Sequence, residues 1–327
     1  MRVLHWYPKY GGGGGVANAV LGLATAQKLR GAEVAVATMP ACANQLYGPL
    51  GDGPRQLIWR PSSNLLRVFW PHVRAADRIA IDEFAPDVIH VHGEFNPDNL
   101  AAAAVFSGPL VLSPHGGFNP HVFARGRKRI KRLYFALARR ALYRRAVLHA
   151  ISPLEALDIE RLLPGRPVYC VQQGPGMAGG TPPGASPLPP NDGRLRLLFV
   201  GRLNLREKGL DLMVEALALA QRQSARRLEL VLCGPDWVGS RVWLEQRLAE
   251  LGCRDRVVFT GCLQPAAVAA LYRDCDCYIQ LSRLEGFGLS VAEALLAGMP
   301  AILSDQIGAA AFPEIGEQPH VAVVPCA

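Results

Sequence analysis

The sequence lacks several features that would place it outside the globular proteins. It has no apolar run as long as the roughly 18 residues of a membrane-spanning helix. No long apolar segment follows Met1, so we expect a mature cytoplasmic chain without a signal peptide. The eight cysteines include no Cys-x-x-Cys pair, which is typical of reduced thiols rather than of a disulfide framework. Half of the residues are hydrophobic and 19% are charged, which excludes a disordered chain and suffices for two buried cores.

Positive charge is concentrated in the first half of the 327 residues. Residues 1–170 contain 21 Lys and Arg against 11 Asp and Glu, whereas residues 171–327 contain 14 against 16. No acidic residue interrupts the ten basic residues Arg125, Arg127, Lys128, Arg129, Lys131, Arg132, Arg139, Arg140, Arg144 and Arg145. Such a block indicates nucleic acid, an anionic membrane surface or a phosphorylated ligand as the partner.

Short apolar strands alternate with helical segments. The predicted strands are residues 2–7, 33–38, 147–151, 195–200, 228–233, 257–259, 277–280 and 300–303, and residues 87–93 and 110–117 each form a buried strand that runs into a tight loop. The predicted helices include residues 16–29, 209–221 and 242–251, and one that begins at Ser152 with capping-box spacing to Glu155. A linker rich in Pro and Gly, residues 172–194, separates the two series. We therefore predict an α/β protein with two doubly wound Rossmann-like domains, residues 1–171 and 195–327, that face a cleft.

A run of five glycines follows the first strand and precedes the first helix. We predict that Gly12, Gly13 and Gly14 let the backbone approach a phosphate at the helix N-terminus. The run is not a P-loop, because no Gly-Lys-Ser/Thr follows it. It loosely fits the dinucleotide pattern G-x-G-x-x-A, but the second strand ends without the acidic residue that would bind a ribose. A flexible turn is the alternative interpretation.

The second half carries a more specific pattern. Arg202 directly follows a predicted strand and Lys208 precedes a predicted helix, which suits a diphosphate. Glu285 lies in a loop, and Glu293 lies about two turns into the helix that follows. Between these carboxylates lie three unpaired backbone amides that are available to an anion, those of Phe287, Gly288 and Leu289.

These segments resemble a known family. G-R-L at 201–203, E-K-G-L-D at 207–211 and E-G-F-G-L-S-V-A-E-A at 285–294 are similar to the nucleotide-sugar-dependent glycosyltransferases of family 4, group 1, which have the GT-B fold. The glycine run and residues 113–116, 173–174 and 298–300 occur in matching order. The resemblance implies a retaining transfer from a nucleotide-diphosphate sugar to a glycan or lipid-linked acceptor, with no metal or other cofactor. The first domain is then the acceptor side and the second binds the donor.

The resemblance also implies residue roles. Glu285 contacts the sugar hydroxyls, Glu293 binds the ribose, Arg202 and Lys208 bind the diphosphate, and His115 lies near the transferred sugar. His115 and Glu285 are therefore the predicted catalytic residues. Relatives in the family continue beyond the position of Ala327 through further helices, so the resemblance implies a C-terminal end that is truncated.

Other patterns favour weaker hypotheses. Asp274-Cys275-Asp276 has the D-x-D spelling of a divalent-cation site, but it joins a helix end to a strand, which favours capping. His90 and His92 share one strand face without an evident Cys or carboxylate partner, so we predict no zinc site there.

A non-catalytic nucleotide-sugar-binding protein is the second functional hypothesis. A Rossmann oxidoreductase is the third, and the missing ribose acid counts against it.

The basic block coincides with an amphipathic helix. Apolar residues recur at helical spacing, and we expect this stripe to pack on the sheet: Ile130, Leu133, Tyr134, Leu137, Ala138, Ala141 and Leu142. The opposite face is predicted to dock on an anionic membrane through Arg127, Lys128, Lys131 and Arg132. Nucleic acid is not an expected partner, because the aromatic residues follow the helical pattern rather than form a stacking platform. We expect a peripheral enzyme on the inner face of the membrane, in cell-envelope polysaccharide or lipopolysaccharide synthesis.

Overall fold

The computed structural model of the chain describes residues 1–10, 14–39, 54–60, 73–124, 126, 128–175 and 184–326. The chain divides into two compact units, Met1–Gly174 (unit 1) and Pro175–Ala327 (unit 2). Each unit is built on one parallel sheet with helices between its strands. The predicted α/β class with two Rossmann-like sheets is confirmed.

Unit 1 contains a seven-stranded sheet with the strand order β3-β2-β1-β4-β5-β6-β7. Its strands are β1 (Arg2–Trp6), β2 (Glu33–Thr38), β3 (Arg55–Ile58), β4 (Val88–His92), β5 (Leu110–Ser113), β6 (Ala146–Ala150) and β7 (Val168–Cys170). Its helices are α1 (Gly15–Leu29), α2 (Ala75–Phe84), α3 (Asn99–Val105), α4 (Pro120–Ala124), α5 (Lys128–Ala138) and α6 (Pro153–Leu162). A π-helical turn, Arg139–Tyr143, continues α5.

Unit 2 contains a six-stranded sheet with the strand order β10-β9-β8-β11-β12-β13. Its strands are β8 (Leu195–Val200), β9 (Leu228–Cys233), β10 (Val257–Gly261), β11 (Cys277–Gln280), β12 (Ala301–Ser304) and β13 (Val321–Val324). Its helices are α7 (Leu210–Gln223), α8 (Ser240–Glu250), α9 (Pro265–Asp274), α10 (Leu289–Leu296) and α11 (Pro313–Gly316), with 3₁₀ turns at Arg254–Arg256 and Gly308–Ala311.

The strand order of both sheets reverses at one central pair of strands. The pair is β1 and β4 in unit 1, and β8 and β11 in unit 2. Loops at the carboxyl ends of such a pair diverge to opposite sides of the sheet and leave a crevice, where open α/β folds bind their ligands. The predicted donor-binding loops follow β1, β8 and β11.

The described part of the predicted linker, residues 184–194, lies against unit 2. The Gly184 N–H donates to the Ala266 carbonyl at 2.9 Å, and the Arg196 guanidinium donates to the Pro189 carbonyl at 2.8 Å. The Leu188 side chain is buried. Among the helices that the structure describes, none has both the length and the apolar character needed to cross a membrane.

Gly209, the residue before α7, brings two loops of unit 2 together. Its φ is +63°, and a Cβ atom there would lie 1.9 Å from the Leu281 carbonyl oxygen. A side chain is therefore excluded by the approach of the chain that follows β11, as well as by the left-handed backbone conformation.

We expect Gly209→Ala to lower the free energy of unfolding by about 2–4 kcal/mol, because strain at positive φ adds to a backbone clash. Gly252→Ala is the matched control, since Gly252 has φ +67° and no atom within 4 Å of the Cβ position. In this control the free energy of unfolding should fall by only about 1 kcal/mol. Urea unfolding of both variants checks the difference, and equal losses would contradict the close approach.

Candidate active site

A half-buried ion pair joins two loops of unit 2. The Lys208 ammonium, in the loop after β8, donates to Oε2 of Glu285, in the loop after β11. The two side chains are only 13% and 20% exposed. Nε2 of Gln280 donates to the same carboxylate oxygen at 2.9 Å. Within the described part of the chain no donor reaches Oε1 of Glu285, so this oxygen is available to a ligand hydroxyl.

Polar residues behind this pair fix its position. The Tyr278 hydroxyl lies 2.7 Å from Oε1 of Gln280 and 2.8 Å from Oγ of Ser290, while the Gln280 amide also donates to Ser282 at 2.9 Å. Each polar group is buried or half-buried and has a partner, so the network fixes the position of the Glu285 carboxylate. The sequence analysis did not identify Tyr278, Gln280 or Ser290.

Helix α10 follows Glu285 and carries the second predicted carboxylate. It begins after Gly288, whose φ is +102°. Glu293 is buried within the helix, and its Oε2 accepts a hydrogen bond from the Tyr272 hydroxyl at 2.8 Å. The backbone N–H groups at the helix start donate to no other described residue, which leaves them free for an anion; they are those of Phe287, Gly288 and Leu289.

Arg202 has a different partner from Lys208. Its guanidinium lies 4.7 Å from the centre of the Trp237 ring, at cation–π distance, and the side chain is exposed. Trp237 belongs to the loop after β9 and is 44% exposed. The ring supports the guanidinium without neutralising its charge, so Arg202 remains able to bind a phosphate. Nothing in the local sequence around Trp237 signalled this contact.

The glycine run of unit 1 is described only at its end. Gly12 and Gly13 lie outside the described residues. Gly14 precedes α1 with φ +96°, and no atom lies within 4 Å of its Cβ position. This conformation favours glycine, and the backbone here is open to close approach by a ligand.

Five of the eight histidines cluster in unit 1, near the carboxyl ends of the central strands. His5 of β1 lies directly opposite His90 of β4, and His92 lies on the same face two residues later. His92 Nδ1 lies 2.9 Å from Nε2 of His115, which follows β5 with φ +54°. The fifth member, His149 of β6, is joined to His90 through Ser113, whose Oγ lies 2.7 Å from His90 Nε2 and 2.6 Å from His149 Nδ1.

Burial keeps these imidazoles neutral. Removal from water lowers the pKa of His5 to about 4 and that of His115 to about 3. The same cause holds the pKa values of His90 and His92 well below the usual range, with a smaller contribution from the neighbouring histidines. At neutral pH each ring therefore has one N–H donor and one nitrogen acceptor.

The loop that carries His115 is tied to α6 by a buried carboxylate. Ser152 accepts a hydrogen bond from the Glu155 N–H at 3.2 Å, as the capping-box spacing predicts. The Glu155 carboxylate accepts from the N–H groups of Gly116 and Ile151 instead of Ser152. Burial raises the pKa of Glu155 to about 7.

The two sequence patterns for which we expected no metal site have different surroundings. Asp274 pairs with Arg273 at 2.7 Å, and Asp276 accepts from the Arg196 N–H at 2.8 Å, so both acids of the D-x-D motif have structural partners. One group of side chains in the described residues brings three possible metal ligands together, namely His5, His90 and His92. The sequence analysis assigned His5 no role, because strand order is needed to place it beside His90.

The predicted membrane-docking residues lie in or before α5. Arg127 lies outside the described residues. Lys128 and Arg132 are exposed, whereas the Lys131 ammonium donates to the Val122 carbonyl and lies 5.2 Å from the centre of the Phe95 ring. The apolar stripe packs as predicted at Tyr134, Ala138 and Leu142, which are buried.

The packing prediction was wrong for three members of the stripe. Ile130 is 52% exposed, Leu133 is 47% exposed and Ala141 is also exposed. Leu133 precedes buried Tyr134 by one residue and so points about 100° away from the packed face. The π-helical turn Arg139–Tyr143 shifts the register and turns Ala141 outwards.

Two parallel-sheet units of this kind are the architecture of the GT-B fold, and comparisons with known proteins identify the family. The family described as "Glycosyl transferases group 1" matches residues 185–314, and the one described as "Glycosyltransferase Family 4" matches residues 13–174. The chain belongs to the group 1 glycosyltransferases of family 4.

Individual relatives are similar over different lengths. The GDP-mannose:cellobiosyl-diphosphopolyprenol alpha-mannosyltransferase of Xanthomonas oryzae pv. oryzae is 31% identical over 67% of this chain and 56% of its own length. The chain thus spans little more than half of that relative. The lipopolysaccharide core biosynthesis mannosyltransferase LpsB of Rhizobium meliloti is 31% identical over 30% of this chain and 28% of its own length.

Solved structures share the fold at low sequence identity. Sucrose-phosphate synthase from Thermosynechococcus elongatus has a TM-score of 0.70 and 18% identity, over 100% of this chain and 86% of that one. WaaG, a glycosyltransferase involved in lipopolysaccharide biosynthesis, has a TM-score of 0.66 and 19% identity, over 99% and 86% of the respective chains.

The buried histidines predict an acid-sensitive unit 1. The unfolded chain protonates His5 near pH 6.5, but the folded chain does so only near pH 4, so stability falls as the pH falls through this interval. We expect His5→Gln to reduce the slope of unfolding free energy against pH by up to about 1.4 kcal/mol per pH unit.

Urea unfolding between pH 7.5 and 4.5 measures this slope. His320→Gln is the control, because His320 is exposed, and it should leave the slope unchanged. Buried Glu94 and Glu155, whose pKa values rise to about 7, titrate in the opposite sense, but they are present in every variant and cancel in the comparison. Equal slopes in the wild type and His5→Gln would contradict the prediction.

Proposed function

We propose that this protein is a retaining glycosyltransferase that moves a hexosyl group from a nucleotide-diphosphate sugar to a glycan or lipid-linked acceptor in cell-envelope polysaccharide synthesis. One observation carries the proposal. A half-buried Lys–Glu pair, free amides at the start of α10 and the buried carboxylate of Glu293 occur on adjoining loops and helix at the switch point of unit 2. A nucleotide-diphosphate sugar presents matching groups in one molecule: an anion, sugar hydroxyls and a ribose.

The chemistry of the transfer explains these groups. Breaking the bond between the anomeric carbon and the diphosphate develops negative charge on the leaving phosphate. Lys208, Arg202 and the α10 amides supply a positive field for that charge without a metal ion. Glu285 is not a nucleophile in this proposal, because Lys208 and Gln280 occupy its Oε2 and leave only Oε1 to bind a sugar hydroxyl.

The relatives suggest which donor to test first. The Xanthomonas relative is named for GDP-mannose, and a structural neighbour, Anabaena HepE with a TM-score of 0.67, was solved with UDP-glucose. A thermal-shift panel of nucleotide sugars that includes both identifies the donor, because a ligand of the folded state raises its apparent stability. NMR of the product with that donor then reports whether the anomeric configuration is retained. Binding without transfer would favour a non-catalytic nucleotide-sugar-binding protein.

The exposed face of α5 supports a membrane-bound acceptor. Ile130 and Leu133 are exposed beside the basic side chains of Lys128, Arg129 and Arg132. Apolar side chains flanked by cations suit the boundary between lipid headgroups and acyl chains. A neighbouring cavity of about 380 Å³ has a mainly apolar lining that includes Phe118, Phe123 and Leu162. Its charged members are Lys128, Arg132, Arg161 and Asp158, and Asp158 pairs with Arg161. The cavity size and the remaining positive charge of Lys128 and Arg132 fit the phosphate-bearing end of a lipid.

The ion pair predicts a separation of binding from transfer. Lys208→Met should weaken nucleoside-diphosphate binding about 10- to 100-fold, the usual cost of a lost charge-assisted hydrogen bond. Glu285→Gln should leave that affinity unchanged or higher, because it releases the ammonium, but it should abolish transfer. Glu293→Ala should weaken the free nucleotide and the full donor equally.

Calorimetric titration and a transfer assay measure these effects. Arg206→Ala is the control, since Arg206 is an exposed cation two residues from Lys208. If Glu285→Gln and Glu293→Ala lowered nucleotide affinity equally, the assigned division between sugar and ribose would be wrong.

The α5 face predicts salt-sensitive binding to membranes. The double variant Arg129→Glu/Arg132→Glu should lose co-sedimentation with anionic vesicles, because each basic residue near the surface contributes about 1 kcal/mol. Ile130→Ser/Leu133→Ser should weaken binding that remains at high salt. Arg222→Glu/Arg226→Glu, with the same charge change on exposed residues of unit 2, should bind as the wild type does. Equal binding to neutral and anionic vesicles would contradict electrostatic docking.

A further inference from the structure

His115 is one end of a continuous hydrogen-bonded chain through unit 1. His5 Nε2 lies 2.8 Å from Gln27 Oε1 in α1, and His5 Nδ1 lies 2.9 Å from His92 Nε2. His92 Nδ1 lies 2.9 Å from His115 Nε2, and His115 Nδ1 lies 2.9 Å from Gln173 Nε2. Every nitrogen of the three imidazoles therefore has one partner.

The ends of the chain determine where each proton lies. The Gln27 oxygen can only accept, so His5 carries its proton on Nε2 and has a free lone pair on Nδ1. His92 must then donate from Nε2 to His5, and His115 must donate from Nε2 to His92. His115 is left with an acceptor at Nδ1, which meets the N–H of the Gln173 amide.

A second chain in the same cluster has an independent end. His149 Nε2 lies 3.0 Å from the Val171 carbonyl oxygen, which can only accept. His149 therefore accepts at Nδ1 from the Ser113 hydroxyl, and Ser113 Oγ accepts from His90 Nε2. All five histidines of the cluster thus have the same Nε2–H tautomer. Only the first hydrogen-bonded chain, which starts at Gln27, reaches His115.

Hydrogen bonding describes the cluster better than metal coordination. His5 Nδ1 and His92 Nε2 are 2.9 Å apart, closer than the about 3.3 Å between two nitrogens on a tetrahedral zinc ion. The His90 and His92 rings lie 4.1 Å apart between centres at 30°, so they stack rather than converge on one point.

We propose that Gln27, His5 and His92 are positioning residues that hold His115 as the Nε2–H tautomer, so that a sugar hydroxyl replaces the Gln173 amide at Nδ1. The proposal rests on the proposed function and assigns the direction of this one contact. Gln173 lies in coil after β7, whereas His5 and His92 lie in central strands, so Gln173 is the partner that a ligand can displace. An amide N–H and a hydroxyl are both donors. Replacing the Gln173 amide by a hydroxyl therefore leaves the protons of His5, His92 and His115 on the same nitrogens.

NMR of ¹⁵N-histidine-labelled protein at pH 8, without a donor, tests the tautomers directly. We expect five neutral rings protonated at Nε2. Protonation of His5, His92 and His115 at Nδ1, or zinc bound at one equivalent per chain in elemental analysis, would overturn the proposal. The measurement does not depend on activity.

Two variants of one residue then test the positioning role. Gln27→Glu presents acceptors only and should keep the wild-type tautomers and activity. Gln27→Lys presents donors only and should move the protons of His5, His92 and His115 to Nδ1, with kcat reduced at least about tenfold and nucleoside-diphosphate affinity unchanged. His90 and His149 are the internal control and should keep Nε2–H in both variants. If Gln27→Lys does not fold, the wild-type spectrum and Gln27→Glu still decide the tautomer.

Titration with a nucleotide sugar tests the displacement of Gln173. The full donor should shift the His115 Nδ1 resonance, whereas the matching nucleoside diphosphate should not. A donor that binds and supports transfer without shifting this resonance would refute the inference and leave the proposed function intact. Absence of both binding and transfer would instead refute the proposed function.

Discussion

The ion pair between Lys208 and Glu285 is the contact on which the candidate donor site depends. A lone charge at this depth would carry a large desolvation cost, and each partner removes that cost for the other. The pair joins loops that are 77 residues apart in sequence. Their approach requires a residue without a side chain at Gly209, where the backbone meets Leu281.

The polar face of unit 1 is organised by a different physical principle. Its five imidazoles are buried deeply enough to remain uncharged, and they are stabilised by mutual hydrogen bonds instead of by ion pairs. Neutral rings cost less to bury than charges. Because each neutral ring has one donor and one acceptor nitrogen, the direction of one hydrogen bond sets the direction of the next. A residue as distant as Gln27 is thereby connected to His115 through His5 and His92.

Local patterns predicted the regular elements well where strands are central. The predicted strands at residues 33–38, 195–200, 228–233 and 277–280 agree with the structure, because strands covered on both faces are continuously apolar. Edge strands β3, β7 and β13 were not predicted; each carries exposed side chains and pairs with a strand on one side only. The packing of Leu133 was wrong because helical spacing alone does not reveal which neighbour a face meets.

The sequence by itself determined the α/β alternation, the family, and the identity of the charged residues in the loops after β8 and β11. These features follow from short-range periodicity and from motifs of contiguous residues. Only the tertiary structure decided that Lys208 bonds to Glu285, that Trp237 supports Arg202, and that His5 joins His92 across 87 residues. Such partners depend on strand order and register, which result from the packing of the whole sheet and leave no local signal.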